Sequence, residues 1–294
     1  MNNSFNAFIE KYQRKITDYI NQIIDNDNSI NNDLADMMKY SVDAGGKRLR
    51  PLILLSILKG FKFKINDDIL QVCAALEAIH TYSLIHDDLP AMDNDDFRRG
   101  KLTSHKKFGE AQAILAGDSL LTIAFEWIAK TNLDAEIKNK LILDLAHAAG
   151  PAGMVAGQLL DIQGNDVSYN IDELKHLHLL KTGCLIKFPA QAALNIANEH
   201  GKIEQLIIEY VTLFGLAFQI HDDIIDVEDS SVELGKTAGK DQMLGKNTYV
   251  SLLGLQQAKI KLNEAKKRCN DIIEQLLKTN FDVSFLAKFL IFLD

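Results

Sequence analysis

Two groups of aspartates carry the clearest chemical pattern in this 294-residue chain. Each group follows an apolar stretch and opens with Ile-His-Asp-Asp; the first comprises Asp87, Asp88 and Asp93, and the second comprises Asp222, Asp223 and Asp226. Carboxylates gathered at the end of a buried helix repel one another and are costly to desolvate unless a hard cation such as Mg²⁺ bridges them. The pattern therefore predicts a divalent-metal site, with two solvated acidic turns as the alternative.

Basic residues follow both groups at short distances along the chain. Arg98 and Arg99 follow the first group, and Lys236 follows the second. Mg²⁺ commonly joins a few carboxylates to substrate phosphates, and arginine offers paired hydrogen bonds to phosphate oxygens. Acidic and basic side chains in one place thus indicate a phosphorylated ligand held partly through metal. The alternative for the two arginines is a solvated turn in which they pair with Asp95 and Asp96.

Helix geometry constrains both aspartate groups. Asp222 and Asp226 are four residues apart, so on a helix their carboxylates share one face about 6 Å apart. Asp87 and Asp93 are six residues apart, and a continuous helix would turn them about 120° away from one another. We therefore expect the helix to loosen near Pro90, so that Asp93 folds back over the helix end.

The elements that position these residues are predicted to be helices. Segments rich in Leu, Ile, Ala, Lys and Glu alternate with polar or glycine-containing breaks, which is typical of an all-α bundle. No linker or repeat divides the chain, so residues 1–294 are expected to form a single all-α domain. The predicted helices cover about 5–25, 33–43, 51–58, 67–88, 109–130, 135–149, 155–161, 172–197, 203–227 and 246–278.

Composition excludes several classes of protein. The net charge of −8 argues against a nucleic-acid binder, which would usually present a basic face. No signal peptide is expected at the start, and no uninterrupted apolar run approaches the roughly 20 residues needed to span a bilayer. Cys73, Cys184 and Cys269 are widely spaced and odd in number. They fit free thiols in a reducing cytoplasm.

Histidines near these motifs are expected to have structural roles. His86 and His221 precede aspartates, and we expect them to pack or hydrogen-bond away from the metal site. His176 and His178 are two residues apart, so they cannot share a helix face and a zinc pair is not expected.

Five ordered motifs make the chain recognisable: GGKRLRP from Gly45, EAIHTYSLIHDDLPAMDNDDFRRG from Glu77, Lys181-Thr182-Gly183, FQIHDDIIDVED from Phe218 and GKTAGKD from Gly235. Together they resemble the trans-prenyl diphosphate synthases, and most closely the bacterial-type farnesyl diphosphate synthases, over about residues 41–246. The resemblance implies an isoprenoid synthase-like helical bundle around a central catalytic cavity, and a homodimer. It implies a prenyltransferase that condenses isopentenyl diphosphate with dimethylallyl or geranyl diphosphate to give farnesyl diphosphate.

The resemblance also implies a role for each residue of the site. The Mg²⁺ ligands would be Asp87, Asp88, Asp93, Asp222 and Asp226, with three ions expected and Mn²⁺ as an alternative. The isopentenyl diphosphate site would comprise Lys47, Arg50, His80 and Arg99. The allylic diphosphate site would comprise Arg98, Lys181, Thr182, Gln219, Lys236 and Lys246. The residues expected to act in catalysis are Asp87, Asp88, Asp93, Arg98, Lys181, Thr182, Gln219 and Asp222.

Product length is expected to depend on the depth of the pocket below the metal end. Tyr82 lies five residues before Asp87, about 7.5 Å down the helix axis, and Ser83 lies one residue closer. In the resembling family, an aromatic at this position accompanies the fifteen-carbon product.

Other functions remain as alternatives. Among active synthases, a geranyl or geranylgeranyl diphosphate synthase is the nearest alternative. A terpene cyclase would share the first aspartate motif but typically has a different second one. A metal-dependent phosphohydrolase would need further histidine ligands, and a non-catalytic synthase subunit usually lacks one of the two aspartate motifs.

Overall fold

The structure, a computed structural model, describes residues 2–164, 167–228 and 246–294. Its helices, in chain order, are α1 (Asn2–Asn26), α2 (Asn32–Val42), α3 (Leu49–Gly60), α4 (Asp67–Asp87), α5 (Ser104–Phe108), α6 (Glu110–Ala129), α7 (Ala135–Ala149), α8 (Met154–Gln163), α9 (Ile171–His178), α10 (Cys184–Ala197), α11 (Lys202–Glu228), α12 (Tyr249–Leu253) and α13 (Leu255–Leu276).

A π-helical segment, a 3₁₀ helix and two short strands complete the described chain. A π-helical segment, Leu179–Gly183, joins α9 to α10, and a 3₁₀ helix, Leu286–Leu293, follows α13. Strands β1 (Phe97–Arg98) and β2 (Lys101–Leu102) pair antiparallel, with Phe97 opposite Leu102. The all-α prediction is therefore confirmed, with one small hairpin added.

The chain divides into two compact units. The first comprises Met1–Leu52 and Ile65–Ile142, and the second comprises Ile53–Lys64 and Leu143–Asp294. The single domain predicted over residues 1–294 stays a prediction.

Helix α4 forms the centre of the first unit. It buries residues on all sides, as expected for a helix that is apolar all round, and it packs against α6 and α1. Asn66 caps its first turn by accepting a hydrogen bond from the backbone N–H of Ile69 at 3.1 Å. A Cβ at Gly117 of α6 would collide with the His86 ring. The glycine therefore lets α6 approach the end of α4 that carries the first aspartates.

Helix α11 forms the core of the second unit and packs against α13 and α10. The last residues join this core, because the Tyr210 hydroxyl donates a hydrogen bond to the Leu286 carbonyl at 2.9 Å. Phe289 of the 3₁₀ helix packs edge-on against Phe214. The C-terminal segment therefore packs into this core as a 3₁₀ helix.

Two predicted helices are interrupted in the structure. The helix predicted at 172–197 contains the π-helical segment, and the helix predicted at 246–278 breaks at Gly254, whose φ is +79°. A left-handed backbone at that position ends α12 and starts α13.

Two helices meet simple criteria for a membrane span. By length and composition α6 and α11 are apolar enough to cross a bilayer, and 44% of each apolar window is buried inside the protein. Core helices of globular proteins meet the same criteria, so this is weak evidence for a span.

Candidate functional site

The first aspartate group lies where α4 ends and the chain folds back. The backbone N–H of Asp93 donates to the Asp87 carbonyl at 2.8 Å, and that of Asp95 donates to the Asp88 carbonyl at 3.2 Å. Asn94 takes a left-handed φ of +51°, a conformation that asparagine tolerates better than most residues. The predicted return of Asp93 over the helix end is confirmed, and it brings Asp87 and Asp93 together.

Asp88 forms a buried ion pair with Arg98. Nε of Arg98 contacts both carboxylate oxygens, at 2.8 and 2.9 Å, and Nη2 donates to Oδ1 at 2.6 Å. Burial raises the pKa of Asp88, and the Arg98 guanidinium opposes part of that rise. Burial acts against the charge of Arg98, but the hydrogen bond and charge of Asp88 outweigh it and raise the Arg98 pKa. Arg98 therefore binds chiefly Asp88, with Asp95 further away at 3.9 Å.

The β1–β2 hairpin presents Arg99 to the loop Gly45–Arg50, which we call the basic loop. Arg99 has a φ of +53° and Gly100 a φ of +75°, which form the tight turn. The Arg99 guanidinium donates to the Gly45 carbonyl. A Cβ at Gly46 would lie 2.5 to 2.7 Å from the Arg99 guanidinium. Gly46 is thus required for the close approach of Arg99.

The other residues predicted to bind isopentenyl diphosphate lie in the same unit. Lys47 is exposed, and Arg50 and His80 are half-buried. Burial lowers the pKa of His80 well below its ordinary value, and the charges of Arg50 and Arg99 lower it further. The His80 imidazole is therefore neutral at pH 7, with one N–H to donate.

The two predicted chain-length residues lie on α4 below the aspartates. The Tyr82 ring is 6% exposed and packs edge-on against the His86 ring at 5.7 Å. Burial, followed by the charge of Asp87, raises the pKa of Tyr82 to about 12. The Ser83 hydroxyl donates to the His80 carbonyl at 2.9 Å. His86 hydrogen-bonds the Ile114 carbonyl on α6 at 3.2 Å, so its predicted structural role is confirmed.

A chain of hydrogen bonds connects the predicted polar residues of the second unit. The Thr182 hydroxyl donates to Oε1 of Gln219 at 2.9 Å, and Nε2 of Gln219 donates to Oδ1 of Asp223 at 3.3 Å. Asp223 in turn accepts from the backbone N–H of Tyr249 at 2.7 Å. This series of hydrogen bonds fixes the orientation of the Gln219 amide, and it connects the second aspartate group to the start of α12.

Lys181 and Lys246 meet at one carboxylate that the sequence did not single out. Oδ2 of Asp161 accepts from Lys181 Nζ at 2.6 Å and from Lys246 Nζ at 3.4 Å. Burial acts to raise the pKa of Asp161, but the two ammonium groups outweigh it and lower that pKa. The neighbouring residue, Asn247, holds the chain at Lys246 in place. Its side-chain amide donates to the carbonyls of Gly164 and Val167 at 2.8 and 2.9 Å.

Backbone geometry also favours a ligand site around Lys181. Lys181 and Thr182 lie in the π-helical segment, and such segments occur frequently at functional sites because they disturb the regular hydrogen-bond ladder. A Cβ at Gly157 of α8 would collide with the Lys181 backbone. The glycine therefore allows α8 to pack directly on the segment.

The aspartates fit a hard divalent cation. Asp222 and Asp226 lie on α11 within one uninterrupted helix, so the predicted shared face is confirmed. Mg²⁺ usually keeps several waters and takes further oxygens from substrate phosphates, and each aspartate group by itself supplies carboxylates of the suitable kind. Within residues 2–164, 167–228 and 246–294, no three acidic, histidine or cysteine side chains converge on one metal position. Metal binding by all five aspartates stays a prediction, and Arg98 already engages both oxygens of Asp88.

One predicted site residue, Lys236, lies outside the described residues. Two residues of the site were not predicted from the sequence. Asp161 could have been found as the one charged residue in the apolar run GMVAGQLLDIQG. Glu77 was signalled in the same way inside α4, where it pairs with Arg48 at 2.8 Å.

Comparison with known proteins agrees with this arrangement. Residues 31–286 match the family model described as Polyprenyl synthetase. The chain is 49% identical over 259 residues to a farnesyl diphosphate synthase of Micrococcus luteus, covering 88% of each protein.

Solved structures give the same result. A geranyltransferase of Helicobacter pylori, complexed with magnesium and isoprenyl diphosphate, superposes with a TM-score of 0.82 at 30% identity, covering 97% of this chain and 95% of that one. An FPP/GFPP synthase of Zymomonas mobilis superposes with a TM-score of 0.84 at 33% identity, covering 98% and 96%. With two aspartate groups, a paired arginine hairpin and a match over most of its length, the chain belongs to the Polyprenyl synthetase family.

Proposed function

We propose that this protein is a trans-prenyltransferase of isoprenoid biosynthesis that condenses isopentenyl diphosphate with dimethylallyl or geranyl diphosphate, forming farnesyl diphosphate and releasing diphosphate. The observation that carries the proposal is the first aspartate group, where Asp87 and Asp93 meet beside the Asp88–Arg98 ion pair. Carboxylates for metal and a guanidinium for phosphate then lie together at the end of α4. The Micrococcus luteus relative, a farnesyl diphosphate synthase, supports the choice of product.

Asp87, Asp93, Asp222 and Asp226 would hold Mg²⁺, with Asp88 beside them, three ions expected and Mn²⁺ as an alternative. When bound, these ions supply charge stabilisation to the departing diphosphate. The magnesium in the Helicobacter pylori geranyltransferase supports this choice of cation.

The allylic diphosphate is held by Arg98, Lys181, Gln219, Lys236 and Lys246. Its carbon–oxygen bond breaks, and the electron pair leaves with the diphosphate. Cationic side chains stabilise the negative charge that grows on the leaving group, and preorganised charges of this kind are usually the largest contribution to catalysis. Arg98 keeps its charge throughout, because its pKa is raised by Asp88.

Isopentenyl diphosphate is held by Lys47, Arg50, Arg99 and the neutral imidazole of His80. Its double bond attacks the allylic cation, and a new carbon–carbon bond forms. The proton that is then lost passes to the released diphosphate, so no protein base is required. Thr182, with its hydroxyl hydrogen-bonded to Gln219, and the carbonyl of Lys181 direct dipoles towards the cation.

The remaining features of the proposal concern length control and assembly. The Tyr82 ring, with Ser83 beside it, limits the product to fifteen carbons. The protein works as a single-domain homodimer in the cytoplasm, without nucleic acid and without a membrane span.

Product analysis tests the proposal. Purified protein is incubated with Mg²⁺, isopentenyl diphosphate and either dimethylallyl or geranyl diphosphate, and the prenyl chain is identified by mass. We expect a fifteen-carbon product from both starters and none in the presence of a chelator. A ten- or twenty-carbon product would overturn the account of product length, and no condensation would overturn the enzyme assignment.

Two variants connect the result to the site. Asp87→Ala should lower kcat by at least a hundredfold, since it removes a metal ligand. Asp271→Ala, an exposed carboxylate on α13, should leave kcat unchanged.

A further inference from the structure

Arg48 differs from the residues that flank it in the basic loop. Lys47 is exposed and Arg50 is half-buried, whereas Arg48 is 4% exposed. Its backbone takes a left-handed φ of +49°, which residues other than glycine adopt only when the surrounding structure enforces it. Buried contacts within the first unit therefore fix the conformation of Arg48 in the middle of the basic loop.

The Arg48 guanidinium uses all five of its N–H donors on the protein. Nη1 donates to Glu77 Oε1 at 2.8 Å and to the Gly45 carbonyl at 3.1 Å. Nη2 donates to the Val42 carbonyl at 2.5 Å, and Nη2 and Nε both donate to the Thr17 hydroxyl, at 3.1 and 3.3 Å. An arginine carries five N–H groups, so none is left for a substrate phosphate.

Glu77 connects this guanidinium to the residues of α4. It is 1% exposed and lies one turn before His80. Oε1 accepts from Arg48, and Oε2 is buried without a hydrogen-bond partner among the described atoms. A buried carboxylate with one oxygen unpaired is costly, and the ion pair with Arg48 offsets part of that cost.

Arg99 responds to the same charge. Burial lowers the pKa of Arg99, and the negative charge of Glu77 is the largest influence that opposes it, while Arg48 repels it. Arg48 and Arg99 also share the Gly45 carbonyl as an acceptor. Two guanidinium groups are thus brought together around one carbonyl and one carboxylate, a grouping that their mutual repulsion would otherwise oppose.

We propose that Arg48 and Glu77 are positioning residues for isopentenyl diphosphate: the buried ion pair sets the conformation of the basic loop and offsets the charge of Arg99. This inference rests on the proposed function, because it assigns Lys47, Arg50 and Arg99 to that substrate. Neither Arg48 nor Glu77 touches the substrate. Loss of the ion pair therefore shifts the positions of the cationic groups that bind the substrate, but it removes none of them.

The test is the kinetics of Glu77→Gln, which keeps the shape of the side chain and removes its charge. We expect the KM for isopentenyl diphosphate to rise at least tenfold, while kcat and the KM for geranyl diphosphate stay within about twofold. Cys73→Ala is the matched control, since Cys73 is fully buried one turn earlier on α4. It should lower the melting temperature without changing either KM.

A second variant covers the case in which Glu77→Gln does not fold. Thr17→Val removes the hydroxyl that accepts from two nitrogens of Arg48, and it should give a smaller rise in the same KM. Arg48→Gln combined with Glu77→Gln should raise that KM no further than either change alone, because the two residues act as one unit.

The possible results distinguish a failure of the positioning role from a failure of the proposed function. An unchanged isopentenyl KM in folded Glu77→Gln or Thr17→Val, or an equal rise in both KM values, would overturn the positioning role. A wild-type protein that condenses nothing would instead overturn the proposed function.

Discussion

The carboxylate of Asp161 accepts a hydrogen bond from Lys181 at 2.6 Å, and the same oxygen atom accepts from Lys246. The side chains of Asp161 and Lys246 are 12% and 14% exposed, so solvent screens this cluster only partly. In the free protein Asp161 is the counter-ion of two lysines that we assign to the allylic diphosphate. In the proposed complex, a bound diphosphate would take over part of that role.

Asp161→Asn should therefore lower the stability of the free protein and increase the stabilisation that a bound ligand gives. Loss of the charge leaves two ammonium groups facing each other, and we expect the free energy of unfolding to fall by about 1–3 kcal/mol. A diphosphate relieves that repulsion, so geranyl diphosphate with Mg²⁺ should raise the melting temperature more in the variant than in the wild type. Asp172→Asn is the control, because its Lys175 pair is exposed. Equal ligand-induced shifts in variant and wild type would contradict this role.

Gly46→Ala should disturb isopentenyl diphosphate binding through Arg99. The added Cβ would occupy the position of the Arg99 guanidinium, and the arginine must move away. We expect the KM for isopentenyl diphosphate to rise about tenfold, which corresponds to about 1.4 kcal/mol. Gly45→Ala provides the comparison, since Gly45 also has a positive φ of +87° but a Cβ there meets nothing within 4 Å. Similar KM values for the two variants would mean that backbone strain, and not Arg99, is responsible.

Tyr82→Ala should lengthen the product. Removal of the ring deepens the space on α4 below Asp87, and mass analysis should then reveal chains of twenty carbons or more. Tyr82→Phe keeps the ring and should keep the fifteen-carbon product. If Tyr82→Ala still stops at fifteen carbons, another residue limits the chain.

His178 should make stability depend on pH in the acid range. Burial lowers the pKa of His178 to about 3, below the value of about 6.5 in an unfolded chain. The unfolded state therefore binds the proton first, and stability falls as the pH drops from about 6.5 towards 3, by up to about 1.4 kcal/mol per pH unit.

His178→Phe removes the titrating group and keeps a ring against Tyr249, which lies 5.6 Å away. Denaturant unfolding at several pH values should show a weaker acid dependence in this variant. The matched change His176→Phe affects an exposed side chain on the same helix and should leave the dependence intact. An acid dependence in His178→Phe equal to that of the wild type would assign it to other groups.

Local patterns in the sequence predicted most of the fold and the acidic half of the site. Helical periodicity located α4 and α11, and the six-residue spacing of Asp87 and Asp93 required the fold-back that the structure contains. These features depend on neighbours along the chain, so the sequence is sufficient to predict them.

Features that depend on distant residues were missed. Asp161 meets Lys181 and Lys246 across 20 and 85 residues of sequence, and no local pattern indicates those contacts. Arg98 was weighed against Asp95 and Asp96, but its main partner is Asp88, because the hairpin turns it back towards α4. The assignment of individual ligands to each diphosphate stays a prediction.

The π-helical segment Leu179–Gly183 changes the rotation of the following helix about its axis. A π turn holds one more residue than an α turn, so α10 is rotated by about 100° relative to a regular continuation of α9. Deleting one residue within the segment would remove that extra residue, so the helix would become regular while the side chains of α10 kept their present positions. The extra residue therefore shapes the backbone at Lys181 and Thr182 rather than the packing of α10, and a one-residue deletion in the segment should be tolerated for folding better than a one-residue insertion.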